Sequence, residues 1–232
     1  MDTPFCARCG QKRAERLTVS GPLRDLVHHV SSVDSSLART LVGLTREPGE
    51  TVRAYLAGNR TGYLNPAKYA FLAATLYTLV VTLFDIDVRP TQWQTSDPRS
   101  VATMHLVLGL VGYLVFLYQL PTAAVLRSFF RRSGLNFAET YTALLFYSGH
   151  LMLAFTLLAA SGAYGWAGGY WLGRLIALVL LVWFVLRIYR AAPLRTLIAT
   201  VVVYIVMMIG TVISGIAATL IARLWTGGWT FA

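Results

Sequence analysis

Acidic residues are scarce in this chain, with 10 Asp and Glu against 20 Lys and Arg in 232 residues. Charged residues of both signs make up only 13%, where soluble domains carry about a quarter. With 56% hydrophobic residues, that shortage excludes both a water-soluble globule and a disordered chain. Cysteine is nearly absent, Cys6 and Cys9 being the only two, which excludes a disulfide-stapled secreted domain. No apolar run occupies the first 30 residues, so no signal peptide is expected. Catalytic signatures are missing as well: there is no H-E-x-x-H, no P-loop and no G-x-S-x-G. Ser148 and His150 stand two apart on one helix and face nearly opposite ways, so they cannot form a nucleophile–base pair. An enzyme is therefore not the favoured reading. What remains is an integral membrane protein.

Five apolar stretches can be marked, near residues 66–84, 101–126, 140–161, 170–186 and 196–224. Each approaches the ~20 residues an α-helix needs to cross a bilayer. The expected fold class is all-α, a polytopic membrane protein of about five transmembrane helices with a small cytoplasmic head. The expected domains are a zinc-knuckle-like segment over 1–20, amphipathic helices over 21–65 and the five-span bundle over 66–232.

Charge sets the orientation. Ten cations precede the first span or open it, the last being Lys68. Arg127, Arg131 and Arg132 follow the second span, and Arg187, Arg190 and Arg195 follow the fourth, so 16 of 20 cations share one side. Arg89, Arg99, Arg174 and Arg223 fall to the other. Loops rich in Lys and Arg stay inside, which predicts an inner-membrane protein of bacterial type with its N-terminus inside and its C-terminus outside. Trp93, Trp166, Trp171, Trp225 and Trp229 cluster at the outer ends of spans, where indole rings prefer the headgroup layer. The net charge of +10 is thus read as membrane orientation and attraction to anionic lipid, not as nucleic-acid binding.

In the head, Cys6-Ala7-Arg8-Cys9-Gly10 has the spacing of a zinc knuckle. A structural zinc takes four ligands and this pair supplies two. A second protomer, His28 and His29, or residues outside this chain would complete the set; the alternative is a knuckle that binds nothing. Leu23, Leu26, Val27 and Val30 predict a short amphipathic helix over Pro22–Val30. Ser36–Arg46 predicts a second helix, Pro48-Gly49 a break, and Glu50–Ala57 a third helix closed by Gly58. Arg39, Arg46, Arg53 and Arg60 recur every seven residues and are read as headgroup contacts. Asn65 and Pro66 have the form of a helix start.

The run Thr40-Leu41-x-x-Leu44, Pro48-Gly49 and Tyr55-Leu56-Ala57-Gly58-Asn59-Arg60-x-x-Tyr63-x-x-Pro66 resembles an uncharacterised family of bacterial membrane proteins. That family pairs an N-terminal zinc ribbon with a Thr-Leu, Pro-Gly and Gly-x-Arg-x-x-Tyr-x-x-Pro signature. The resemblance spans about residues 5–69. It implies a membrane protein with a zinc-ribbon-like cytoplasmic head, and no established activity. Arg60, Tyr63 and Lys68 are candidate lipid-headgroup contacts.

Within the spans, His150 is the ionisable residue nearest a centre, and Glu139 lies eleven residues earlier on the same helical face. The second span aligns His105, Gly109, Gly112, Phe116 and Gln119, and the first aligns Thr75, Thr78, Thr82 and Asp85. His105, Gln119, Glu139 and His150 are therefore a candidate polar route, their alternative being helix-to-helix hydrogen bonding. Pro121 predicts a kink in the second span. Gly210, Ser214, Ala218 and Ala222 form a small-residue ladder suited to packing within one chain or between protomers. Three functions compete: permeation of a small solute, ion or lipid by an oligomeric bundle; a scaffold or regulator that recruits a partner through its head; and a lipid-modifying enzyme.

Overall fold

The computed structural model describes residues 35–60, 62–94 and 98–225. Cys6, Cys9, His28, His29 and the Pro22–Val30 helix lie outside the described residues. The described chain is all α-helix apart from short 3-10 turns and connecting loops, with no strand among the described residues. In order come α1 (35–46), α2 (Pro48–Leu56), α3 (Pro66–Leu83), α4 (Pro98–Phe129), α5 (Phe137–Ala160), α6 (Gly169–Tyr189) and α7 (Pro193–Trp225).

Four of these, α3, α5, α6 and α7, are long and apolar enough to cross a membrane. The fifth, α4, is bent by 47° between Leu110 and Gly112, and its two halves pass together as one span. The bend therefore falls upstream of Pro121, where the sequence places the kink. Gly109 and Gly112 sit beside the bend with only Thr78 and Ala74 of α3 against them, so α4 comes close to α3 there. Pro121 lies inside the lower half of α4, a helical segment with no assigned break.

Alternating direction follows from the loops. The starts of α3, α5 and α7 and the ends of α4 and α6 share the end that carries α1 and α2, here called the head end. Arg195 at the start of α7 donates to the Phe129 carbonyl at the end of α4, and Phe130 stacks on Tyr189 at 4.3 Å. At the far end, Gln94 after α3 donates to the Tyr164 carbonyl after α5 at 3.1 Å. Of its most apolar stretch, α5 has 67% buried against 28% for α7, which makes α5 the central helix and α7 an outer one.

What faces outward is as telling as what is buried. Leu72, Leu76 and Leu79 on α3, Leu117 on α4, Leu175 and Val179 on α6, and Ile205, Ile209, Val212, Ile213 and Ile216 on α7 are all exposed. In water, an apolar patch of that extent drives aggregation; against lipid tails it has no such penalty. Inside, α3 buries Tyr69, Ala73, Tyr77 and Val81, spaced four residues apart, against α5. Gly149 of α5 makes this approach close: a Cβ there would stand 2.5 Å from the Tyr69 ring. Gly210 of the small-residue ladder packs against Tyr118 of α4, so at that position the ladder joins two helices of one chain.

The head helices dock by specific chemistry. Pro48 and Gly49 open α2, and the break falls one residue earlier, at Glu47. Proline fits a first turn because its missing N–H has no partner to lose there. A Cβ on Gly49 would collide with the Arg187 carbonyl at the end of α6, so only glycine lets α2 seat. Gly58, with φ 107°, closes the segment in the left-handed region. Thr40, fully buried, accepts from the Leu64 backbone N–H at 2.8 Å and donates to the Ser36 carbonyl. Asn65 accepts from the N–H groups of Ala67 and Lys68, capping α3.

Candidate functional site

The charged residues of the head end are tied to one another and to backbone. Arg53 donates to the carbonyls of Arg187 and Ile188 at 3.1 and 2.9 Å, groups left without helical partners at the end of α6. Glu50 pairs with Arg53 at 2.9 Å and with Arg190, which sits in the left-handed conformation that ends α6. The Arg53 guanidinium beside Glu50, helped by Arg190, holds its carboxyl below the ordinary carboxylate value. Arg39 donates to the Gly62 carbonyl at 3.3 Å, and Arg60 lies over the Tyr55 ring at 6.0 Å. The seven-residue arginine period thus feeds contacts within the chain at three of its four positions. Of the candidate headgroup contacts, Arg60 and Lys68 are exposed, while Tyr63 is half-buried against the core.

The candidate polar route separates into three interhelical pairs. His150 on α5 shares a hydrogen bond with the Tyr69 hydroxyl of α3 at 3.1 Å and faces the Phe184 ring of α6. Gln119 on α4 is fully buried and donates to the Ser148 hydroxyl of α5 at 2.6 Å. His105 lies 3.8 Å from Asp85 at the far end, where α3 gives way to its loop. Glu139 stands at the opposite end in the capping box of α5, its carboxylate accepting from the Asn136 N–H at 2.7 Å. These residues do not converge on one space.

A different set does. A cavity of about 110 Å³ opens at mid-bundle, and all five long helices line it. Tyr77 comes from α3, Leu108, Gly112 and Tyr118 from α4, Tyr147, Leu151 and Phe155 from α5, Arg174 and Ala177 from α6, and Tyr204, Met208 and Thr211 from α7. Tyr147 donates to the Ala177 carbonyl at 2.9 Å and Tyr204 to the Arg174 carbonyl at 3.2 Å, which ties α5 and α7 to α6 around the space. Tyr118 faces Thr211, and Tyr77 faces Tyr164 toward the far end.

Arg174 is the unexpected member. The sequence places it with the outer flanking cations. The structure starts α6 at Gly169, which sets Arg174 in the second turn of the span with its side chain turned toward α7. Its guanidinium lies 4.9 Å from the Tyr170 ring centre and 3.7 Å from the Met208 sulfur. Its Nε is buried without a hydrogen-bond partner among the described residues. A partial sequence signal existed: from residue 98 to the end of the chain, Glu139 is the only acidic residue, so the spans after the first offer a cation inside the fourth span no carboxylate at its own level. The tyrosines carried no comparable signal, because they are scattered from residue 77 to residue 204.

The fold and this site define an α-helical protein whose five long helices suit a membrane and line a mainly apolar cavity edged by tyrosines and Arg174. Among known families, one described as a protein of unknown function (DUF3667) matches residues 34–78. The match runs from α1 into α3 and fits the resemblance to an uncharacterised family. It is a minority of the chain, and the cavity-lining helices α4 to α7 lie outside it. No match to a curated protein or to a solved structure is found.

Among the described residues, no group of three or more His, Cys, Asp or Glu could hold a metal ion.

Proposed function

We propose that this protein sits in a cell membrane with its head end inside and passes a small solute across, the mid-bundle cavity being the station where the solute is held. The observation that carries this reading is the cavity itself: every spanning helix contributes to its wall, so a solute there touches the whole bundle. Intramembrane sites of this kind, at the meeting point of several helices, suit solutes that must be held briefly away from lipid. Two buried polar atoms support continuation toward the head end. Gln119 Oε1, next to Tyr118, and Thr200 Oγ1, one turn from Tyr204, are buried without partners among the described residues. The cation bias of the head end supports the inside orientation.

This reading moves the route away from His150, which is spent on Tyr69. Attraction of anionic lipid to exposed Arg60 and Lys68, zinc at Cys6 and Cys9, and assembly with further copies remain proposals from the sequence. The test is solute flux in liposomes holding the purified full chain. Flux above that of empty liposomes is expected, with Leu108→Trp blocking it by filling the cavity and His150→Ala leaving it in place. Flux that Leu108→Trp leaves untouched, or none for any small solute, contradicts the reading.

A further inference from the structure

We propose that Arg174 makes the mid-bundle cavity a site for a small monovalent organic anion, of the short-chain monocarboxylate class. The inference rests on reading the cavity as a solute station and names what that station selects. Arg174 is half-buried, with its Nε buried and unpartnered among the described residues. Leaving such a donor unmatched is unfavourable, and intramembrane cations are normally found with a partner or a function. Among the described residues no charged partner is supplied. The nearest groups are a thioether and an aromatic ring, which polarise toward a cation without neutralising it. Glu139, the only acidic residue beyond position 97, is held in its capping box at the head end. Asp87 at the far end is paired with Arg89 at 2.5 Å. Asp85 faces His105 at 3.8 Å, so no carboxylate among the described residues pairs with Arg174 and an anion from outside the chain can take that place.

The size and lining of the cavity narrow the class. A volume of about 110 Å³ has room for several waters and so admits an anion of a few heavy atoms. One guanidinium neutralises one charge, so a monovalent anion is preferred over a phosphate ester. Leu108, Leu151 and Phe155 offer hydrocarbon contact away from Arg174, which suits a carboxylate with a short tail. The guanidinium forks two parallel N–H groups, the geometry that a carboxylate accepts best.

The test is equilibrium binding of radiolabelled butyrate to the full chain in nanodiscs, with propionate and uncharged butyramide as competitors. Saturable binding that propionate displaces and butyramide does not is expected. Arg174→Gln should weaken it roughly tenfold or more, the scale of losing a charge-assisted hydrogen bond, while Arg174→Lys keeps part of it. Equal competition by butyramide, no saturable binding, or full binding in a folded Arg174→Gln protein would overturn the inference. Should Arg174→Gln fail to fold, Arg174→Lys decides: binding equal to the unsubstituted protein counts against the carboxylate fork, and a partial loss supports it. The two readings separate cleanly. Butyrate binding without flux sinks permeation and leaves the anion site, whereas flux of a neutral solute without butyrate binding does the reverse.

Discussion

Arginine occupies two regions of this molecule on opposite terms. At the head end, Arg53 is saturated: two carbonyls of α6 and the Glu50 carboxylate take its donors, and Arg190 shares the same carboxylate. At the cavity, Arg174 keeps a buried Nε with no partner and forms no ion pair among the described residues. The same side chain thus closes a structural joint in one place and leaves an open valence in the other. The difference teaches where function resides. A satisfied polar group fixes geometry, while an unsatisfied one at a cavity is available to a ligand.

Substitutions can sharpen that contrast. The largest effect is expected from Gly49→Ala, which sets a Cβ against the Arg187 carbonyl and should cost about 3 kcal/mol, seen as a lowered Tm in detergent with the head helices exposed to protease. If the Tm is unchanged, α2 does not seat on α6 as described. Thr40→Val leaves the buried Leu64 N–H without its acceptor and should cost about 2 kcal/mol in the same assay. Tyr69→Phe removes the bond to His150 and should cost about 1 kcal/mol, with solute flux retained. A large loss of flux there would return the route to His150.

The smallest effect is pH-dependent. Glu50 has its carboxyl held below the ordinary value by Arg53, so its contribution to docking is fully present above the unfolded-chain value and disappears as pH falls through the lowered one. Protease protection of the head should therefore weaken on acidification, and Glu50→Gln should flatten that dependence. A wild-type profile already flat would remove Glu50 from the joint.

Much of the fold could be read before any coordinates. Runs of about twenty apolar residues leave few alternatives to spanning helices, and Asn65-Pro66 and Gly58 mark real helix boundaries because their backbone chemistry is local. Pro48-Gly49 marks the break to within one residue, with proline opening α2, but that the glycine is required by a carbonyl 138 positions further along the chain is not legible locally. The bend of α4 falls beside Gly109 and Gly112, where α4 packs on α3, and proline at 121 does not announce it. The cavity was the least readable part. His105, Gln119 and His150 look functional one helix at a time, yet each faces a different neighbour and they share no common space. Arg174 groups with the outer cations although it lies inside the marked fourth span, and only the packing of α6 against α7 shows its side chain turned into the cavity.

The most direct measurement is cysteine accessibility at mid-bundle, in a protein with Cys6 and Cys9 replaced by serine. Thr211 lines the cavity beside Tyr118, and Val212, the next residue, faces outward with 61% exposure. The account predicts that Thr211→Cys in a lipid bilayer reacts with an anionic methanethiosulfonate faster than with its cationic counterpart, that butyrate slows the reaction, and that Val212→Cys stays inert. Labelling of Val212→Cys at the rate of Thr211→Cys, or a faster reaction at Thr211→Cys with the cationic reagent, would contradict it.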